Sequence, residues 1–270
     1  MTDHATPEPA AGSAVSRGME ADRSKSTLTY VALACAITWA LAMPMALAWW
    51  RHAVPPTYAM PCAGLSAFGP LFAALIAVGK RRTLFRPFLA HPGWIALALF
   101  TPMAMHLIAT ALFVAMGGKP EAWFHPPAAP ERWAALVVFP LGEEFGWRGF
   151  AHPRLAARFG LVKGSLLLGL AWGVWHLAYS VPPTGGFDGL GFAMGLAELP
   201  LYSLLLAWVF ERTGRAMAVA IAFHAGAHLD HFELASRADL RLHGLHLLVV
   251  GVVAVFAARS LARRAQPIPS

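Results

Sequence analysis

The sequence predicts an all-α fold, a polytopic transmembrane helix bundle with about eight spans and both termini in the cytoplasm. Of the 270 residues, 57% are hydrophobic and 13% are charged, whereas an ordinary soluble domain has about 25% charged residues. Apolar stretches of about 17 to 25 residues recur along the chain, and each is long enough to cross a hydrocarbon core of ~30 Å. The Lys and Arg residues fall mostly between these stretches. This pattern indicates a membrane protein.

The chain divides into two polar tails and one membrane domain. Residues 1–27 are rich in Ala, Pro and Ser without apolar periodicity, and we expect this segment to be disordered because it cannot bury enough apolar surface. Residues 28–258 form the membrane-embedded helical domain, and residues 259–270 form a basic C-terminal tail. The predicted spans, in order, are Leu28–Trp50, Tyr58–Val78, Trp94–Met116, Trp133–Phe150, Gly164–Val181, Leu190–Phe210, Ala216–Phe232 and His243–Ala258.

The distribution of basic residues gives the orientation. Of the 21 Lys and Arg residues, 15 lie in the alternate segments that begin with the N-terminal tail, 5 lie in the other set, and Arg148 lies inside a span. Cytoplasmic segments carry the excess of positive charge, so both termini are predicted to be cytoplasmic. The formal charge of +7 does not predict nucleic-acid binding, because no basic stripe is interleaved with exposed aromatic residues. The lipid bilayer is the expected partner.

Ionisable residues inside the predicted spans are the main functional signal. Each charged residue at mid-membrane costs ~2.5 to 3.5 kcal/mol on insertion scales, so the fourth span alone carries a cost of roughly 10 kcal/mol if its charges are unpaired. A fold retains such groups when they are paired, useful, or both. The residues concerned are Glu143, Glu144, Arg148, His176, Glu198, His224 and His228.

Helical geometry separates the three charges of the fourth span. Glu144 and Arg148 are four residues apart and share a helix face, whereas Glu143 and Arg148 point roughly 140° apart. The simplest interpretation is that Arg148 neutralises Glu144 and leaves Glu143 facing another direction. A carboxylate without its own cation in a medium of low dielectric constant is suited to exchanging a proton as a general base or acid. A buried structural ion network is an equally balanced alternative.

The histidines of the later spans add further candidates. His224 and His228 are separated by one helical turn, so their imidazoles could converge on one metal ion or one substrate group. Two histidines hydrogen-bonded across helices would be the commoner explanation for such a pair, and a structural hydrogen bond would be the commoner explanation for His176. Together with the acidic span, however, these residues form the inventory that water activation for hydrolysis requires.

The same residues resemble the motifs of the CAAX-processing and bacteriocin-processing (CPBP) intramembrane endopeptidases, also called the ABI family. The family carries Glu-Glu-x-x-x-Arg, Phe-x-x-x-His and His-x-x-x-Asn in that order on successive core helices. The matching segments here are Glu143-Glu144-Phe145-Gly146-Trp147-Arg148, Trp172-Gly173-Val174-Trp175-His176 and His224-Ala225-Gly226-Ala227-His228. The motif-bearing core is residues 133–232. Trp172 replaces the usual Phe, and His228 replaces the usual Asn.

The resemblance implies an intramembrane endopeptidase. By this resemblance, Glu143 activates water with help from His176, while His224 and His228 stabilise the oxyanion. Both a zinc-dependent mechanism and a metal-free glutamate mechanism are argued for the family. If zinc binds, the candidate ligands are His176, His224 and His228, together with Glu143.

The expected substrate is a hydrophobic or lipidated peptide or protein, and the expected location is the bacterial cytoplasmic (inner) membrane. Two other classes of function are open. One is a non-catalytic scaffold or immunity protein that keeps the site as a structural network. The other is a proton or ion pathway, although the sequence lacks the repeats typical of transporters.

Overall fold

The computed structural model describes residues 11–78, 88–124, 126–127, 130–229 and 239–264, with side chains from residue 27 to residue 263 within these ranges apart from residue 78. No strand occurs in these ranges, and the all-α prediction is confirmed. The helices are α1 (Ala11–Trp50), α2 (Ala59–Ser66), α3 (Gly69–Val78), α4 (Pro92–Ala115), α5 (Pro130–Gly146), α6 (His152–Phe159), α7 (Leu161–Trp175), α8 (Gly189–Arg212), α9 (Met217–Leu229) and α10 (Leu240–Arg264).

Within the described part of the chain, five helical segments are long and apolar enough to cross a membrane. A sixth is added if the bent pair α2–α3 counts as one span. These segments define an integral membrane protein with a helical membrane domain. The five are Thr27–Trp50, Pro92–Ala115, Leu161–Tyr179, Gly189–Arg212 and Leu240–Arg263.

The remaining predicted spans are not single α-helices of that length. α9 has 13 residues, a length of about 20 Å against a hydrocarbon core of ~30 Å. α5 has 17 residues, a length of about 25 Å, before it passes into the helical turn Trp147–Ala151. The count of eight spans and the cytoplasmic position of both termini therefore stay predictions. α1 begins at Ala11, inside the segment predicted as a tail, and residues 1–10, 230–238 and 265–270 lie outside the described residues. The division into tails and membrane domain, and the end of the motif-bearing core, also stay predictions.

The second predicted span is broken rather than continuous. α2 and α3 meet at an angle of 58°, because Pro70 has no N–H to donate to the carbonyl of Ser66 four residues earlier. Thr38 of α1 supplies the missing donor, and its hydroxyl lies 2.8 Å from that carbonyl oxygen. Gly69 packs directly against the Thr38 side chain, where a Cβ atom would not fit. The α2–α3 pair therefore packs against α1 at this break.

α5 does not end in a loop but passes through a π-helical turn, Trp147–Ala151, into α6. This turn is fully buried. The Tyr30 ring of α1 packs against Trp147 and Phe150, with ring centroids 5.7 Å and 4.6 Å apart. π-helical turns occur frequently at functional sites, and this one contains Arg148.

Two close helix contacts place the motif-bearing helices. α9 crosses α4 at Gly226, where an added Cβ atom would overlap the carbonyl oxygen of Leu99. α7 crosses α8 at Gly169, which lies against the backbone of Pro200. Because only glycine permits these approaches, the histidines of α9 and the C-terminal end of α7 are brought towards the acidic end of α5.

Candidate functional site

The predicted Glu144–Arg148 pair is present and includes a third member. Arg148 Nη1 donates to Glu144 Oε1 at 3.1 Å, and His224 Nδ1 lies 2.8 Å from the same oxygen. All three side chains are buried. Glu144 Oε2, Arg148 Nε and Arg148 Nη2 have no hydrogen-bond partner within the described ranges. This network joins α5, the π-helical turn and α9 at one point.

Glu143 is directed away from that pair, in agreement with the helical geometry. Its Oε2 atom accepts a hydrogen bond of 2.9 Å from the indole nitrogen of Trp172. The Glu143 residue is 5% exposed, so its carboxylate is held almost out of contact with solvent. A phenylalanine, which the family usually has in place of Trp172, could not donate this hydrogen bond.

The indole of Trp172 lies among the other predicted residues. Its ring centroid is 5.1 Å from that of His224 and 5.6 Å from that of His176. The Arg148 guanidinium carbon lies 4.9 Å from the ring centroid, within the range of a cation–π contact. Trp172 is therefore the side chain around which one carboxylate, one guanidinium and two imidazoles are arranged.

Hydrogen bonding orients His176 at the end of α7. Its Nδ1 atom lies 2.8 Å from the carbonyl oxygen of Trp172, and a carbonyl can only accept. Nδ1 therefore carries the proton, and in the neutral ring Nε2 is left as an acceptor. The ring is also held edge-on to Trp175, with centroids 4.8 Å apart. His176 thus presents a fixed orientation and a defined tautomer.

The histidine pair of α9 is in direct contact. His224 Nε2 and His228 Nε2 are 3.1 Å apart. Because the Glu144 carboxylate accepts, His224 Nδ1 donates to it. The proton between the two rings is then carried by His228 if His224 is neutral, and by His224 if it is an imidazolium. In either form the contact with Glu144 keeps a proton on His224 Nδ1.

A cavity of about 390 Å³ opens beside this group. Trp172, His176, His224 and His228 line one end of it, whereas neither Glu143 nor Glu144 is among its described lining residues. Its volume is within the range of small-molecule binding sites. All six predicted site residues therefore lie in one hydrogen-bonded or ring-contact group, and three of them line the cavity directly.

The cavity also has polar residues that the sequence analysis missed. They are His106, Tyr202 and His243, which line the cavity with Glu198, and His246, whose Nε2 lies 3.0 Å from Glu198 Oε1. The rule that selected His176 would have selected His106 and His246, because both lie inside predicted spans. Tyr202 could not be found in this way, since a tyrosine in a membrane helix carries no comparable cost.

The side chains of this site include the residues predicted as zinc ligands. Within the described ranges, no three His, Cys, Asp or Glu side chains are arranged to hold a metal ion. His176 Nδ1 is engaged with a carbonyl oxygen and His224 Nδ1 with Glu144. The described side chains are therefore not arranged as a three-ligand zinc site, and zinc binding stays a prediction.

The comparisons with known proteins agree with the motifs. Residues 126–229 match the family model described as "Type II CAAX prenyl endopeptidase Rce1-like". This range contains α5 to α9 and all six predicted site residues. The match confirms the predicted resemblance to the CPBP family.

One curated relative is CAAX prenyl protease 2 of the archaeon Methanococcus maripaludis. It is 28% identical over 132 residues, which represent 45% of this chain and 48% of the relative. The chain thus spans about half the length of the curated relative it matches. The similarity concerns the motif-bearing region rather than the whole protein.

Proposed function

We propose that this protein is an intramembrane endopeptidase that hydrolyses a peptide bond of a membrane-anchored or hydrophobic substrate. The observation that carries the proposal is the cavity lined by Trp172, His176, His224 and His228, with the Glu143 carboxylate hydrogen-bonded to the same Trp172. It supplies a buried carboxylate, oriented imidazoles and space for a substrate within the membrane domain. The match to the Rce1-like family model supports the same activity.

In this proposal, Glu143 is the general base. A water molecule enters beside Trp172, and Glu143 removes a proton from it while the oxygen attacks the substrate carbonyl carbon. His176 Nε2 accepts a hydrogen bond from the other O–H of this water, because His176 Nδ1 already donates to the Trp172 carbonyl. Glu143 then returns the proton to the leaving nitrogen, and the peptide bond breaks.

His224 and His228 stabilise the oxyanion in the proposed transition state. A hydrogen bond from each Nε2 requires that both rings carry a proton there. For His224, whose Nδ1 already donates to Glu144 at 2.8 Å, this means an imidazolium ring in the transition state. In this role Glu144 and Arg148 act on the reaction through His224, as positioning residues.

The proposed substrate is a hydrophobic or lipidated peptide or protein in the bacterial cytoplasmic membrane. Such a chain could reach the cavity from within the bilayer. The matching family model is that of a prenyl endopeptidase and the curated relative is named a prenyl protease, so prenylated chains belong to this proposed class.

A non-catalytic scaffold or immunity protein is the alternative. It is favoured by the buried Glu144–Arg148–His224 network. This network joins three helical segments and would stabilise their packing in a protein without catalytic activity. The two functions differ in what they require of Glu143. A hydrolase needs its charge, whereas a scaffold needs only its shape and hydrogen bond.

The test compares peptide termini in membranes of cells that express the wild type or Glu143→Gln at equal abundance. Glutamine keeps the acceptor oxygen for Trp172 but cannot take a proton from water. We expect termini that occur with the wild type and are lost in the variant. These termini also identify the cleavage site.

Glu131→Gln is the matched control, because Glu131 is an exposed carboxylate in the first turn of the same helix. Its termini should equal those of the wild type. If wild type, Glu143→Gln and Glu131→Gln give the same termini while all three are folded and equally abundant, the endopeptidase proposal is wrong.

A further inference from the structure

The cavity has a second polar end, formed by three helices. Glu198 and Tyr202 come from α8, His106 comes from α4, and His243 comes from α10. His246, also on α10, is hydrogen-bonded to this group, with its Nε2 atom 3.0 Å from Glu198 Oε1. Its residues are separate from the group around Trp172, although they share the cavity with it.

The direction of one hydrogen bond at this end follows from Glu198. A carboxylate accepts, so His246 Nε2 carries the hydrogen and donates to Glu198 Oε1. The Tyr202 hydroxyl lies 3.3 Å from His246 Nε2 and 3.3 Å from His106 Nε2. The direction of the Tyr202–His106 hydrogen bond depends on the His106 tautomer, since a hydroxyl both donates and accepts. The His246 Nε2 donor is therefore used within the cluster.

Two side chains at this end have an atom without a hydrogen-bond partner in the described ranges. The Glu198 side chain is 25% exposed, and in the part of the chain that the structure describes only its Oε1 atom is hydrogen-bonded. His243 is 6% exposed and lines the same cavity. Its Nε2 atom is buried without a hydrogen-bond partner in the described ranges, and it accepts in the tautomer protonated at Nδ1.

The formally charged side chains that line the cavity are negative. Among the described residues that line the cavity there are two carboxylates, Asp188 and Glu198, and no Lys or Arg side chain. The chain as a whole has a formal charge of +7, so the acidic lining is a local feature. A carboxylate that faces a cavity inside the membrane domain, without a lysine or arginine beside it, attracts a cation.

We infer that the Glu198 end of the cavity is a subsite for a basic side chain, Lys or Arg, of the substrate. This inference rests on the proposed endopeptidase function. An ammonium or guanidinium group carries a positive charge and donates hydrogen bonds without accepting any. It therefore pairs with the Glu198 carboxylate by charge and hydrogen bond beside His243, which a carboxylate or a carbonyl group cannot do. The substrate thus combines a hydrophobic segment with one basic residue at a fixed distance from the cleaved bond.

Binding of two small probes to the full-length protein in detergent tests the chemistry of the subsite. Octylguanidinium and octylurea have the same chain and a similar head group but differ in charge. We expect the wild type and Glu131→Gln to bind octylguanidinium at least about tenfold more tightly than octylurea, the size expected for a charge-assisted hydrogen bond. Glu198→Gln, which keeps an acceptor for His246, should bind both probes equally. His243→Phe, a second variant of similar size, should reduce the difference.

The cleavage sites provide the substrate side of the test. Termini produced by the wild type should share Lys or Arg at one fixed position, and the termini that Glu198→Gln produces should lack this preference. Equal binding of the two probes to the wild type overturns the subsite, and so do wild-type cleavage sites without a fixed basic residue. An absence of Glu143-dependent termini counts against the proposed function instead, because probe binding does not depend on cleavage.

Discussion

Trp172 contacts four of the six predicted site residues, through a hydrogen bond to Glu143 and ring contacts with Arg148, His176 and His224. The aromatic character of this position could be expected from the motif resemblance. The hydrogen bond to Glu143 could not, because it depends on how α7 packs beside α5. The departure from the family phenylalanine therefore adds a donor at the carboxylate that the proposed mechanism uses.

Trp172→Phe tests the importance of this donor. The variant keeps an aromatic ring but leaves the buried Glu143 carboxylate without its hydrogen bond in the described structure, at a cost of about 1–3 kcal/mol. We expect a lower unfolding midpoint and turnover reduced by about tenfold or more. Both are measured on the purified protein, by thermal unfolding and by cleavage of a substrate identified from its termini. Unchanged turnover would mean that the hydrogen bond has no role in the reaction.

The Glu144–Arg148 pair yields a different prediction. Arg148→Ala or Glu144→Gln leaves the partner charge buried, which typically destabilises a protein by about 3–5 kcal/mol. Thermal unfolding should show a large loss of stability in both variants, whereas Glu143→Gln should unfold near the wild-type temperature. If Arg148→Ala and Glu144→Gln are as stable as the wild type, the pair is not a structural ion pair.

The contact of α9 with α4 is an element-scale feature that positions the histidine pair. Gly226 lies between His224 and His228 in the sequence, and its backbone is against the Leu99 carbonyl. Gly226→Ala should push α9 away from α4 and destabilise the protein by at least about 1–3 kcal/mol. Because the shift also moves both imidazoles, we expect turnover to fall.

Gly251→Ala in α10 is the control, since an added Cβ atom there meets nothing within 4 Å. It should leave turnover unchanged and keep or slightly raise stability. Thermal unfolding and turnover are measured for both variants. Equal effects of the two substitutions would show that the close approach of α9 to α4 is unimportant.

Some helices could be predicted from the sequence and others could not. α4, α8 and α10 follow from long apolar stretches, whose length alone indicates a span. The break between α2 and α3 could not be predicted from Pro70, because a proline inside a membrane helix is often accommodated as a kink. The deciding factor is Thr38 of α1, which binds the carbonyl that Pro70 leaves without a donor. This partner is distant in the sequence.

At the scale of the whole molecule, the two polar ends of the cavity have different origins in the sequence. The residues around Trp172 form recognisable motifs, and helical spacing separates the roles of Glu143 and Glu144. The Glu198 end is assembled from α4, α8 and α10, with single residues that form no motif. Spacing within one helix could not reveal it, because its members meet only through tertiary packing.

The orientation of the whole chain is also open to test. The excess of Lys and Arg in alternate segments predicts that both termini are cytoplasmic. A fluorescent protein that folds only in the cytoplasm should therefore fluoresce when fused to either end. A phosphatase that is active only outside the cytoplasm should be active when inserted between residues 117 and 123. A fluorescent signal at one terminus only would require an odd number of spans.

The π-helical turn at Trp147–Ala151 has a consequence for related sequences of different length. One residue fewer there would turn the following helix by about 100° relative to α5. His152 would then lose its contact of 3.0 Å with Glu211, and Phe150 would leave the Tyr30 ring, although Glu144 and Arg148 could stay paired. A homologue with a one-residue gap after the arginine should therefore differ at the positions of Tyr30, His152 and Glu211 as well. The gap and these three substitutions should be inherited together.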